Sequence, residues 1–86
     1  MEEKTLFELV DEVEDENTFI GFIEVLMKDR IKNKVIDEWQ NDTIEGFLDS
    51  ACTWAKCSKN GLKFYKKPNN PWKRCAQIIY MGKIYE

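Results

Sequence analysis

Between Phe19 and Val35 the chain places Phe19, Ile20, Phe22, Ile23, Leu26, Met27, Ile31 and Val35 at intervals that fit a 3.6-residue period. An α-helix turns such a spacing into one continuous apolar face, and a face that broad has to be covered by other elements. The charges agree, with Glu24 toward the start and Lys28, Arg30, Lys32 and Lys34 toward the end, an order that complements the helix dipole. Asn17 or Thr18 is placed to cap this helix. Gly21 in its first turn costs up to about 1 kcal/mol against alanine.

The flanking segments supply the cover. Thr5 and Glu8 have capping-box spacing, and Leu6, Leu9, Val10 and Val13 follow at helical intervals, which predicts a short helix over 5–14. The acidic run from Asp11 to Glu16 loads the end of that helix with charge the dipole disfavours, so the helix should stop there. Asn41-Asp42-Thr43 offers a fresh cap, with Glu45 three residues after Asp42. Ile44, Phe47, Leu48, Ala51, Trp54 and Ala55 continue as a stripe, predicting a helix over 43–58 that closes at Asn60-Gly61, where a left-handed residue is easily accommodated. Lys66 to Asn70 reads as a loop, and Leu62 to Tyr65 is too short to assign by period. Asn70-Pro71 is a helix start, a capping side chain followed by a proline at the first helical position. The last helix is predicted from Pro71 to about Lys83, with Trp72, Cys75, Ala76, Ile79 and Tyr80 as its buried stripe. The expected fold is all-α, a single domain over residues 1–86 built as a compact bundle of three to four helices. The alternative is α+β, with a short C-terminal hairpin formed by Gln77–Tyr80 near Leu62–Tyr65.

A chain of 86 residues buries only about 60–65% of its unfolded surface. Its apolar fraction of 43% and aromatic fraction of 13% are enough for one core without disulfide or metal staples. The three cysteines, Cys52, Cys57 and Cys75, are odd in number and follow no framework spacing, which points to a reducing cytoplasm. Cys52 and Cys75 lie on or beside apolar stripes and are expected to pack as small hydrophobes. Met1-Glu2-Glu3-Lys4 lacks the basic region of a signal peptide, and no apolar run approaches the roughly 18 residues of a membrane span. No membrane association is expected.

The chemistry open to this chain is narrow. It has no histidine, hence neither the commonest general base nor the commonest metal ligand. Cys52-x4-Cys57 is neither a CxxC redox motif nor half of a zinc site. The carboxylates of residues 2–16 alternate with apolar positions and lack the central glycine of a calcium loop, so they read as a solvated helix face. Glycines stand singly at 21, 46, 61 and 82, which rules out a phosphate-cradling loop. No catalytic residue, metal or cofactor is expected, and the chain is read as a non-enzyme.

Its net charge of −3 conceals a polarity: residues 1–42 carry 13 acidic and 5 basic groups, residues 43–86 carry 3 acidic and 8 basic, so the halves are −8 and +5. As structure, this is an acidic layer lying near a basic one; as function, it is a pair of faces of opposite potential. From Lys56 to Lys67 five lysines interleave with Phe64 and Tyr65, and Trp72, Lys73 and Arg74 follow. Lys59, Lys63, Lys66, Lys67, Lys73 and Arg74 are therefore candidate phosphate contacts, with the aromatics as stacking surfaces for unpaired bases. The acidic half opposes that use. Trp39, Trp54 and Trp72 sit on or beside helical stripes, where core packing is the default. Trp39 beside Asn41, at a corner between helices, is the candidate anchor for a protein partner.

Through Trp39-Gln40-Asn41-Asp42-Thr43-Ile44-Glu45-Gly46-Phe47-Leu48, Trp54, Pro71-Trp72 and the ending Lys83-Ile84-Tyr85-Glu86, the chain resembles an uncharacterised family of small bacterial helical domains, a domain of unknown function. The likeness covers residues 39–86, and residues 1–38 only as an acidic helix plus a hydrophobic one. It implies a helical fold and a bacterial or phage origin, and it brings no catalytic residue. The expected function is a non-catalytic protein-binding module that uses a charge-polarised surface, in a small regulatory or immunity-type role. The alternative is a nucleic-acid-associated protein using the basic-aromatic segment 56–74.

Overall fold

The computed structural model describes residues 5–32 and 39–85. They form four helices, α1 (Leu6–Glu12), α2 (Glu16–Lys32), α3 (Ile44–Cys57) and α4 (Pro71–Ile84), and the described residues contain no strand. The fold is an all-α bundle. Gln77–Tyr80 lie inside α4, and Leu62 and Tyr65 pair only with each other, exchanging N–H···O bonds of 2.9 and 3.1 Å across a tight turn. The hairpin alternative is thereby corrected: the cap at Asn70-Pro71 outweighs the β-prone Ile78-Ile79-Tyr80. Met1–Lys4, Lys34, Val35 and Glu86, on which the sequence carries expectations, lie outside the described residues.

Local chemistry sets the helix ends. Thr5 and Glu8 form the capping box of α1, Thr5 Oγ1 accepting from Glu8 N–H and the Glu8 carboxylate accepting from Thr5 N–H. α1 stops at Glu12, earlier than expected, because Val13 turns extended and buries itself. The cap of α2 is neither Asn17 nor Thr18 as expected but Asp15: its carboxylate accepts from Thr18 N–H at 2.8 Å, and Thr18 Oγ1 accepts in return from the N–H groups of Glu14 and Asp15. The last acids of the run that ends α1 thus begin α2. Thr43 caps α3 by accepting from Gly46 N–H at 3.0 Å. Gly61 leaves that helix with φ +84°, the left-handed residue anticipated there. Asn70 Oδ1 accepts from Trp72 and Lys73 N–H at the start of α4, while Asn70 Nδ2 donates to Glu14 O at 2.8 Å and ties this cap to the α1–α2 junction.

The hydrogen bonds from Thr18, backbone N–H first and hydroxyl second, hold the Asp15 carboxyl below its ordinary value. A depressed carboxylate contributes stability that is present above its unfolded pKa and lost as pH falls through its folded one. Acidification into and below the ordinary aspartate range should therefore fray the first turn of α2. Lower amide protection factors at residues 16–19 in acid, with the intrinsic exchange rate divided out, would show this, and Asp15→Ala should fray the same turn already at neutral pH.

α4 is the hub. It packs on α1, α2 and most extensively α3, whereas α3 meets no other helix among the described residues. Ala76, fully buried at the middle of α4, lets Val10, Val13, Phe22, Leu26 and Trp39 close around it. Two expectations fail here. Because α3 has a single helical neighbour, its stripe is only partly used: Ala51 and Trp54 are buried, but Ile44 is 76% and Leu48 58% exposed. Cys52, Cys57 and Cys75 are all exposed, and none packs as a core residue. Cys75 sits one position, roughly 100° of helix, away from Ala76.

The α3–α4 contact is close enough to demand a glycine. A Cβ on Gly82 would stand 2.9 Å from Phe47 Cε2 and 3.0 Å from Phe47 O. Gly82→Ala should gain helix propensity of about 1 kcal/mol but lose more to overpacking, a net destabilisation of about 1–2 kcal/mol read as a lower urea midpoint.

Candidate protein-docking groove

Trp39 and Asn41, the proposed partner anchor, turn inward. Trp39 is 7% exposed, stacked on Phe47 with centroids 6.2 Å apart, and its indole N–H donates to Asp29 Oδ2 at 2.9 Å. The same oxygen accepts from Lys83 Nζ at 2.9 Å, an ion pair that joins the acidic half of the sequence to the basic one. Arg30 and Lys83 both lie over the indole, 5.4 and 5.5 Å from its centroid, and Arg30 also donates to Asp42 O at 3.0 Å. Asn41 Nδ2 donates to Gly82 O at 3.1 Å and Tyr85 O at 2.7 Å, and its backbone N–H reaches Lys83 O. The carbonyls of Gly82 and Lys83 are among those a helix end leaves without intrahelical donors, and Tyr85 is the residue that caps it. The corner thus closes α4 in the way Asn70 opens it.

The six basic candidates divide. Lys59, Lys63, Lys66 and Lys67 are exposed on the connection between α3 and α4, and Lys73 is half-buried in the first turn of α4. Arg74 leaves the set. Its guanidinium donates to Ser58 Oγ at 2.9 Å, Tyr65 Oη at 3.1 Å and Ala55 O at 2.9 Å, and lies 5.0 Å over the Trp54 ring. It clamps the end of α3 to α4.

That clamp also mounts the tight turn. Tyr65 sets its ring edge-on to Trp54, with centroids 5.1 Å apart, and its hydroxyl bonds Gln77 Oε1. Phe64, at the tip, is held out and is 93% exposed, with Lys63 Nζ 5.3 Å from its ring. Between this turn, α4 and α1 runs a groove of about 340 Å³ whose floor includes Val10, Trp54, Tyr80 and Ile84. Phe7 of α1, 69% exposed and edge-on to Tyr80 with centroids 6.4 Å apart, also lines it, as does Asp11. An open apolar groove with two large exposed rings on its rim is the kind of surface that marks an interaction site. Sequence reasoning missed Phe7, although it falls outside the Leu6, Leu9, Val10, Val13 stripe; an off-stripe aromatic was the signal.

No buried side-chain N or O atom among the described residues lacks a hydrogen-bond partner, and no group of three His, Cys, Asp or Glu side chains there is placed to hold a metal ion. No described helix is long and apolar enough to cross a membrane.

Residues 15–86 match a family of unknown function (DUF7660), and the chain belongs to it. The match opens at the cap of α2, so α1, with Phe7 and Asp11, precedes the matched region. The chain is also similar to Extended synaptotagmin-3 of Mus musculus, 39% identical over 49 residues, which are 55% of this chain and 6% of that protein. The chain therefore spans a small fraction of that relative's length. No solved structure matches.

Proposed function

We propose that this family member is a non-catalytic protein-binding module, bacterial and cytoplasmic, in a small regulatory or immunity-type role. It docks a protein partner in the groove between α1, α4 and the 62–65 turn. The observation that carries the reading is Phe64, 93% exposed on a turn held by Tyr65 and Arg74, lining together with Phe7 a mostly apolar groove. A large ring on a rigid mount loses little conformational entropy on binding, which favours it as an anchor. The absence of histidine from the chain supports a binding role over catalysis.

Capture from lysate of the native host, with and without nuclease, tests the reading. Recovery of one protein that resists nuclease and is lost on combined Phe7→Ala and Phe64→Ala is the expected result. Recovery indifferent to both substitutions would overturn it. One observation favours nucleic-acid binding as the second reading: Phe64 and the exposed Lys59, Lys63, Lys66 and Lys67 resemble a stacking platform beside a basic track. Nuclease-sensitive recovery that disappears when those lysines are replaced would establish that reading in place of the first.

A further inference from the structure

We infer that the groove takes a second copy of this chain, docked about a two-fold axis so that Phe64 of each copy packs on Phe7 of the other. This deepens the groove reading by naming its occupant. The groove is bordered by charges of opposite sign. Asp11 lines the groove on the α1 side, and Glu8 and Glu12 are exposed on the same seven-residue helix; at the turn, Lys63 Nζ lies 5.3 Å from the ring of Phe64, which lines the groove, and Lys59, Lys66 and Lys67 are exposed on the connection that carries the turn. A partner of uniform charge is drawn to one wall and repelled by the other. A two-fold operation sets the acidic wall of each copy against the basic wall of its mate, because in an isologous contact residue i meets j and j meets i. The same operation matches the two exposed rings, Phe7 and Phe64, which line the groove from different elements and have most of their surface in water. One rotation thus covers both rings and pairs both walls.

The test uses charge reversal in the full chain, read by sedimentation equilibrium, with circular dichroism confirming that each variant is folded. One variant carries Asp11→Lys and Glu12→Lys, the other Lys63→Glu and Lys66→Glu. Alone, each sets like charges across the axis twice, and its dimer dissociation constant should rise about tenfold or more over wild type. Mixed one to one, the variants restore opposite signs at both contacts, so the mixture should sediment as a heterodimer with wild-type affinity. Phe64→Ala should weaken the wild-type dimer in the same way. A wild type that stays monomeric at the highest concentration reached, or a dimer insensitive to all of these changes, overturns the inference. If the wild type is monomeric yet still captures a different protein in a Phe64-dependent way, the two-fold arrangement fails and the groove reading stands; loss of both results removes the groove itself.

Discussion

Trp39→Ala should bring this chain to the edge of unfolding, with a loss of about 3–5 kcal/mol and a melting temperature lower by 15 °C or more. Truncating a buried tryptophan costs that much by transfer and cavity terms alone. Here the indole also donates to Asp29 Oδ2, stacks on Phe47 and lies beneath Arg30 and Lys83. Its loss leaves the largely buried Asp29–Lys83 pair with one donor fewer at the shared oxygen. A domain of this size holds roughly 4–13 kcal/mol in total, so the variant should be partly unfolded near body temperature. Thermal and urea unfolding followed by circular dichroism measure it. Trp39→Phe supplies the control: it keeps a ring against Phe47 and removes the N–H, so it should lose less than half as much. A fully stable Trp39→Ala that had lost only partner binding would return Trp39 to the surface role considered from the sequence.

The contrast between Trp39 and Phe64 shows where sequence reading reaches its limit. Capping is local, so Thr5, Thr43, Asn70 and Gly61 could be assigned their places from neighbours within four residues. The motif from Trp39 to Leu48 could be recognised as a unit, but its purpose depends on residues some forty positions away. Asn41 closes α4 through the carbonyls of Gly82 and Tyr85, and Phe47 forbids a side chain at Gly82. A periodic stripe likewise says which residues share a face and not how much of that face is covered. Ile44 and Leu48 stay in water because, among the described residues, α4 is the one helix beside α3. In the pair Phe64-Tyr65 composition cannot say which ring goes in. The hydroxyl decides, since Tyr65 donates to Gln77 and accepts from Arg74, whereas a phenylalanine there would take that donor from Gln77 Oε1 and one of three acceptors from Arg74.

Arg74 gives the second large effect, and it separates architecture from surface charge within one basic segment. Arg74→Met should cost about 2–4 kcal/mol, because charge-assisted hydrogen bonds are worth roughly 1.5–3 kcal/mol each and stranded acceptors add a penalty. The acceptors at stake are Ala55 O near the end of α3 and Ser58 Oγ, whose residue is fully buried and whose own proton is committed to Trp54 O at 2.6 Å. Arg74→Lys should recover only part of the loss, since a point charge cannot serve Ser58, Tyr65 and Ala55 with the fixed fork of a guanidinium or lie flat on Trp54. Lys63→Glu, Lys66→Glu and Lys67→Glu, at exposed positions, should each stay within about 0.5 kcal/mol of wild type. Urea midpoints rank the five proteins against wild type. Amide exchange at Leu62 and Tyr65, which bond across the turn, should quicken in Arg74→Met and hold steady in the lysine variants. If Arg74→Met is as stable as Lys66→Glu, the clamp is absent in solution, and Arg74 rejoins the exposed lysines as a contact available to a partner.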